Sequence, residues 1–308
     1  MYEPTDNELS FYLKQSPISS AGKYEYLFHD LPENLSELCL LIQKLLLHQF
    51  WILEKKHYGI SASELRKSGR DLNHEINLRS VEEILEYLLS LDEDPLTGER
   101  GPEVRAVGNC RDYATLLVSI LRYQGIPARV RSGVARYFSK TGFLEDHFIC
   151  EFWNASEQRW QRVDPQIDQI QKDALELNMD MTDLPADQFL NAGESYFELK
   201  SGKVEPKNIG VMEFLGWRYA RYKLVSDLAS INKLEILAWE GWGICKRINQ
   251  EQLTASDQKL LEDTADILKD LSFYPECFNQ AREIYQSHPE LQLPSNYQPY
   301  YMELPQFK

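Results

Sequence analysis

Gln124-Gly125-Ile126-Pro127 is the sharpest punctuation in this chain, and it dictates how the central third folds. From Arg111 to Gln124 the apolar residues Ala114, Leu117, Val118 and Leu121 fall on one helical face. Gly125 is the residue type expected just past a helix end, and Pro127, lacking an N–H, forbids the helix to resume. Downstream, residues 128–137 alternate polar and apolar side chains, the pattern of a half-buried strand. A second strand is expected to begin at His147, where Phe148, Cys150 and Phe152 alternate with Ile149, Glu151 and Trp153. Residues 154–159 read as a turn, and Trp160 to Val163 as a short strand returning antiparallel, ended by Asp164-Pro165. A hairpin in that register brings Asp164 close to His147.

This arrangement places three chemically related residues in order. Cys110 opens the helix, His147 stands 37 residues later, and Asp164 follows after 17 more. A free thiol, with an ordinary pKa near ~8.5, is mostly protonated at neutral pH and needs help to act as a nucleophile. A helix N-terminus and an imidazole both favour the thiolate. Asp146 is a rival orienter, but neighbours on a strand point to opposite faces, which favours Asp164. Cys39, Cys150 and Cys245 lie in apolar stretches and read as small core residues, and Cys277 is expected to be inert as well. The remaining histidines, at 29, 48, 57, 74 and 288, read as ordinary core or surface residues.

The combination of a cysteine opening a helix, Leu121-Arg-x-x-Gly-Ile-Pro-Ala-Arg129, a histidine opening a strand and Trp160-x-x-Val163-Asp164-Pro165 resembles the core of the transglutaminase-like superfamily of papain-like cysteine enzymes. The resemblance covers roughly residues 101–168 and rests on four pieces in the right order. It implies an α+β fold, with a nucleophile helix packed on a small antiparallel sheet. It also implies Cys110 as nucleophile, His147 as general base and later acid, and Asp164 as the residue that orients the imidazole. The reaction implied is acyl transfer through a thioester, with hydrolysis by an amidase or peptidase ahead of amine transfer by a transglutaminase or amide synthase. An inert binding or scaffold module is the alternative from another class. The Cys110 N–H is one expected oxyanion donor. For the second, position 104 holds Val104 where papain-like enzymes often have glutamine, leaving Gln43, His48, Gln49 and Trp51 on a first helix as candidates.

Eight arginines and no lysine occur between Arg79 and Arg136. Guanidinium suits carboxylates and phosphates. Internal pairing with the many Asp and Glu residues is one reading. The sharper one has Arg111, Arg131 or Arg136 orienting an anionic group of the substrate near the thiol, while Arg129, part of the resembling motif, ties the core together. The expected substrate is an amide-bearing small molecule, peptide or protein.

With 308 residues, 43% of them hydrophobic, the chain can bury a large core. A net charge of −15 argues against nucleic acid or an anionic membrane as partner. No basic stretch leads into an apolar segment at Met1, and no apolar run reaches the ~18 residues of a membrane span, so a cytoplasmic location is expected. Five scattered cysteines form no disulfide framework, and no Cys-x-x-Cys pair suggests zinc. No phosphate loop, calcium loop or zinc-protease motif is present, so no cofactor or metal is expected.

The flanks read as helical. Residues 34–56 carry a leucine-rich stripe, Ser80-Val81-Glu82-Glu83 is a capping box opening a helix to Leu91, and 211–246 and 254–271 have helical patterns. Residues 92–101 read as a loop, 173–195 as acidic and irregular, 202–210 as a connection, and 274–308 as an extended tail. The division expected is a catalytic region over 1–200 and a helical extension over 201–308, packed on the core.

Overall fold

The computed structural model describes residues 3–246 and 253–304. In chain order, α1 (Asp6–Leu13) and α2 (Leu35–Leu45) lead into β1 (Leu46–His48), followed by α3 (Ala62–Lys67), α4 (Leu72–Ile76), α5 (Val81–Leu91) and β2 (Ala106–Gly108). The central unit is α6 (Cys110–Tyr123), β3 (Ala128–Ala135), β4 (Leu144–Asn154) and β5 (Arg159–Val163). Then come α7 (Gln169–Leu175), β6 (Phe189–Asn191), α8 (Ala192–Lys200), β7 (Ile209–Val211), β8 (Phe214–Leu215), α9 (Gly216–Ile231), α10 (Ala255–Asp270) and α11 (Glu276–Ser287). The class is α+β.

The main sheet runs β6-β3-β4-β7-β8, with β5 also paired to β4. One edge of β4 meets β3 along its length, from Ala128 opposite Phe152 to Ala135 opposite Glu145. The other edge is shared. β7 pairs with Leu144 and Glu145, while β5 pairs with the stretch from Cys150 to Asn154. Asp146 to Ile149 lie between these two partners, so His147 sits in a gap of the sheet where side chains from elsewhere can approach.

Helix α6 ends as its sequence requires, with Gly125 at φ +78°. Its apolar residues pack with those of α2 and α5 and with Ala128, Val130, Phe148 and Cys150 of the sheet. A second core joins Val134, Leu144 and Trp160 to the apolar faces of α8, α9, α10 and α11. Residues 201–304 therefore share a core with the sheet and also supply its strands β7 and β8.

Several elements differ from the sequence expectations. The leucine-rich helix stops at Leu45 rather than running to Lys56, because Leu46 turns extended and Leu46–His48 pair in parallel with Ala106–Gly108. A run of three leucines inside the core suits a buried strand as well as a helix. β4 begins at Leu144, three residues before His147, because β7 gives its first residues a partner. β3 is buried at all eight positions rather than half-buried, since its arginines find carboxylates inside. Residues 173–195 contain β6 and most of the first turn of α8. The helical pattern over 211–246 breaks after Ile231, and the expected tail begins with α11. Its last residues, 305–308, lie outside the described residues. No helix among the described residues is long and apolar enough to cross a membrane.

Candidate active site

Cys110 is the first residue of a 14-residue helix, reached directly from β2. Asn109 caps that helix by accepting the Arg111 N–H at 3.0 Å, and Asp112 reaches back to accept the Asn109 N–H at 2.8 Å. Gly108 makes room for the reach: a Cβ there would lie 2.8 Å from the Asp112 Oδ2. The cap engages Arg111 and not Cys110, leaving the Cys110 N–H among the donors a helix start presents. On the other side, His48 is paired with Gly108 across β1–β2, and the Gln49 N–H donates to the Gly108 carbonyl at 2.9 Å.

His147 and Asp164 are both 1% exposed, and the His147 Nε2 lies 2.8 Å from the Asp164 Oδ2. The Tyr137 hydroxyl donates to the same carboxylate oxygen at 2.6 Å, and the Gln166 N–H donates to Oδ1 at 2.9 Å. Asp164 is further fixed by donating its own N–H to the Met181 carbonyl. Phe138 and Tyr137 stand edge-on to the imidazole, with centroids 4.9 and 5.9 Å away. Burial alone would strip the proton from His147. The Asp164 charge, its hydrogen bond and a hydrogen bond with Cys110 outweigh that cost and push the imidazole up to about 10. With Nε2 held by Asp164, Nδ1 is the ring nitrogen left for Cys110. Burial, and then the Asp164 charge, push Tyr137 well above its ordinary range, so it stays a donor.

Around these residues is a cavity of about 250 Å³, lined among others by His48, Gln49, Phe50, Trp51, Cys110, Phe138, Glu145, Asp146 and His147. His48 is lowered to about 3 by burial and by nearby His147, against the pull of Asp164, so it is a neutral imidazole. Its Nδ1 accepts the Phe50 N–H at 3.4 Å, which assigns its proton to Nε2. Of the other proposed oxyanion donors, Gln49 and Trp51 also line the cavity. Gln43 does not, because its amide donates to the carbonyls of Pro165 and Ile167. His48, Gln49 and Trp51 lie on β1 and the turn after it rather than on the first helix.

Asp146 is held by Lys223 and by the Tyr219 hydroxyl at 2.8 Å, and the carboxylate on the His147 ring is that of Asp164. The three arginines expected to meet an anionic substrate do not line the cavity. Arg111 is fully buried and occupied by Asp112 and by the carbonyls of Arg79 and Glu235. Arg131 is fully buried between Asp227 and Glu151. Arg136 pairs with Glu198 at 3.3 Å. Internal carboxylates and carbonyls occupy the buried Arg111 and Arg131, while the half-exposed Arg136 is turned to Glu198. Among the described residues no cluster of His, Cys, Asp and Glu is arranged to hold a metal ion. Tyr137 has no signal in the sequence, whereas His48 is among the oxyanion candidates but is expected there on a helix. Tyr137 sits where β3 has already ended, and nothing in its spacing points to Asp164.

Residues 80–165 match the family model of the transglutaminase-like superfamily core. No curated protein matches the chain. Among solved structures, a putative cysteine protease from Cytophaga hutchinsonii is similar at 19% identity and a TM-score of 0.32, over 53% of this chain and 43% of that one. The chain therefore spans less than half the length of that relative.

Proposed function

We propose that this chain, whose residues 80–165 form a transglutaminase-like core, is a cysteine-dependent acyl-transfer enzyme that cleaves an amide through a thioester, with water as the acceptor. The observation that carries the reading is the buried chain of contacts from Cys110 through His147 to Asp164, with the carboxylate held by two further donors. An inert scaffold would have little use for a protonated imidazole buried between a thiol and a carboxylate.

The steps follow from the groups present. The Cys110 thiolate attacks the amide carbonyl carbon, and the oxygen takes the negative charge. The Cys110 N–H at the helix start meets that oxygen, and the Nε2–H of neutral His48, which lines the same cavity, is taken as the second donor. As the C–N bond breaks, protonated His147 gives its proton to the departing amine, leaving a thioester and a neutral imidazole. Neutral His147 then takes a proton from water as it attacks the thioester. Release of the carboxylic acid restores thiolate and imidazolium. Asp164 keeps its hydrogen bond to Nε2 throughout and fixes the ring.

Intact-mass analysis of the protein mixed with a panel of peptide amides tests this. An acyl adduct on Cys110 that decays in water, and is absent from Cys110→Ala and His147→Ala, is the expected result. An adduct that persists in water and is released only by an added primary amine replaces hydrolysis with transfer.

A further inference from the structure

The cavity beside Cys110 is charged in the opposite sense to the one the arginine-rich sequence suggests. Among the described residues no lysine or arginine lines it, whereas Glu145 and Asp146 both do. Asp146 already has its cation in Lys223. Glu145 stands two residues before His147 on β4, so the two side chains share a face. Its carboxyl is half-buried, and among the described residues the cation acting on it is His147, which is already paired with Asp164. Burial, and then the neighbouring Asp146, push Glu145 up to about 7 against the pull of His147. That is the behaviour of a carboxylate set into a wall without a counter-charge of its own, the nearby imidazolium being held by Asp164. Phe50, Trp51 and Phe138 supply aromatic surface to the same cavity, and aromatic faces attract cations.

We propose that the substrate carries an ammonium or guanidinium group near the scissile amide, and that Glu145 with the aromatic wall of Phe50, Trp51 and Phe138 binds it. This rests on Cys110 being the nucleophile of the site. Glu145 is a specificity residue: it selects which amide is presented to the thiol and takes no part in the proton transfers.

The test uses three methanethiosulfonate reagents that convert a thiol to a mixed disulfide and differ in charge: aminoethyl (cationic), methyl (neutral) and sulfonatoethyl (anionic). Rates of Cys110 modification are read by peptide mapping at about 1 M salt, where a Debye length of ~3 Å removes the general pull of the acidic protein. The order expected is cationic, neutral, anionic, with the first about tenfold faster than the second. Glu145→Gln should bring that ratio close to one, and the exposed Glu276→Gln on α11 should leave it unchanged. A wild-type ratio near one, or a ratio untouched by Glu145→Gln, overturns the proposal while leaving Cys110 as nucleophile. If the neutral reagent shows no preference for Cys110 over the other four thiols, the nucleophile assignment fails and the inference falls with it.

Discussion

At the scale of single residues, the imidazole of His147 is the group on which the others converge, and its environment yields three expectations. The first concerns its orienter. Asp164→Asn should lower kcat by a factor on the order of 10⁴ with the fold intact, because an amide N–H facing Nε2 favours the tautomer with its proton toward Cys110. Tyr137→Phe removes one of three donors to that carboxylate and should cost about tenfold in kcat, the equivalent of one charge-assisted hydrogen bond of ~1.4 kcal/mol. The second concerns thiols. Burial pushes Cys39 and Cys245 up to about 12, Cys277 to about 11 and Cys150 well above its ordinary range. Iodoacetamide at pH 6 should therefore alkylate Cys110 first, and peptide mapping that finds any other cysteine first removes it as the active thiol. The third concerns pH. A histidine raised from 6.5 to about 10 on folding stabilises fully below 6.5 and loses that contribution as pH rises through about 10. The melting-temperature advantage of wild type over His147→Gln should thus be largest near pH 6 and shrink toward pH 10. The proximity of His147 to Asp164 was legible in sequence because a short hairpin fixes its own register. Tyr137 was not, since it reaches the site through the loop after β3, and His48 was a candidate whose position on a parallel pairing, and not on a helix, no local pattern encodes.

At the scale of elements, the position of Cys110 depends on the cap that starts its helix. Asn109→Ala should cost about 1 kcal/mol of stability, typical for an N-cap. Asn109→Ser, which can still accept the Arg111 N–H, should recover most of that loss. Thermal unfolding of both variants beside the rate of Cys110 alkylation checks whether the thiol is positioned by the cap. If Asn109→Ala leaves the alkylation rate at the wild-type value, the helix start is not what activates it. Caps and breakers were the parts of the fold most open to reading in advance: the Ser80–Glu83 box and Gly125 mark the start of α5 and the end of α6. Leu46–His48 was hidden because a buried strand and a leucine-rich helix present the same apolar run. α11 was hidden because its flanking prolines and tyrosines masked a four-residue apolar stripe, Cys277, Phe278, Ala281 and Ile284.

At the scale of the whole molecule, a buried ionic cluster joins segments that lie far apart in sequence and brings the sheet into one unit with its helices. Glu151 of β4 accepts from Arg129 and Arg131 of β3 and Arg162 of β5, and the Ser272 hydroxyl lies 3.0 Å from the same carboxylate. Arg129 also pairs with Glu8 of α1 and stacks on Trp160 at 3.8 Å, while Arg131 pairs with Asp227 of α9. The arginines were legible as a group, but their partners were not, because Glu8 and Asp227 lie 121 and 96 residues from the guanidinium groups they meet. Removing one member of such a cluster leaves uncompensated buried charge, a loss of about 3–5 kcal/mol. Glu151→Gln should therefore lower stability by that amount at pH 7. Burial alone would raise the Glu151 carboxyl, but Arg131, Arg129 and Arg162 together hold it well below the usual carboxylate range. A carboxylate depressed on folding stabilises above its unfolded value, near ~4.3, and loses that contribution as pH falls through its folded value. Denaturant titrations of wild type and Glu151→Gln between pH 7 and pH 2 should start several kcal/mol apart and converge below pH ~4. Curves that stay parallel down to pH 2 would show that the cluster is held by packing and not by the Glu151 charge.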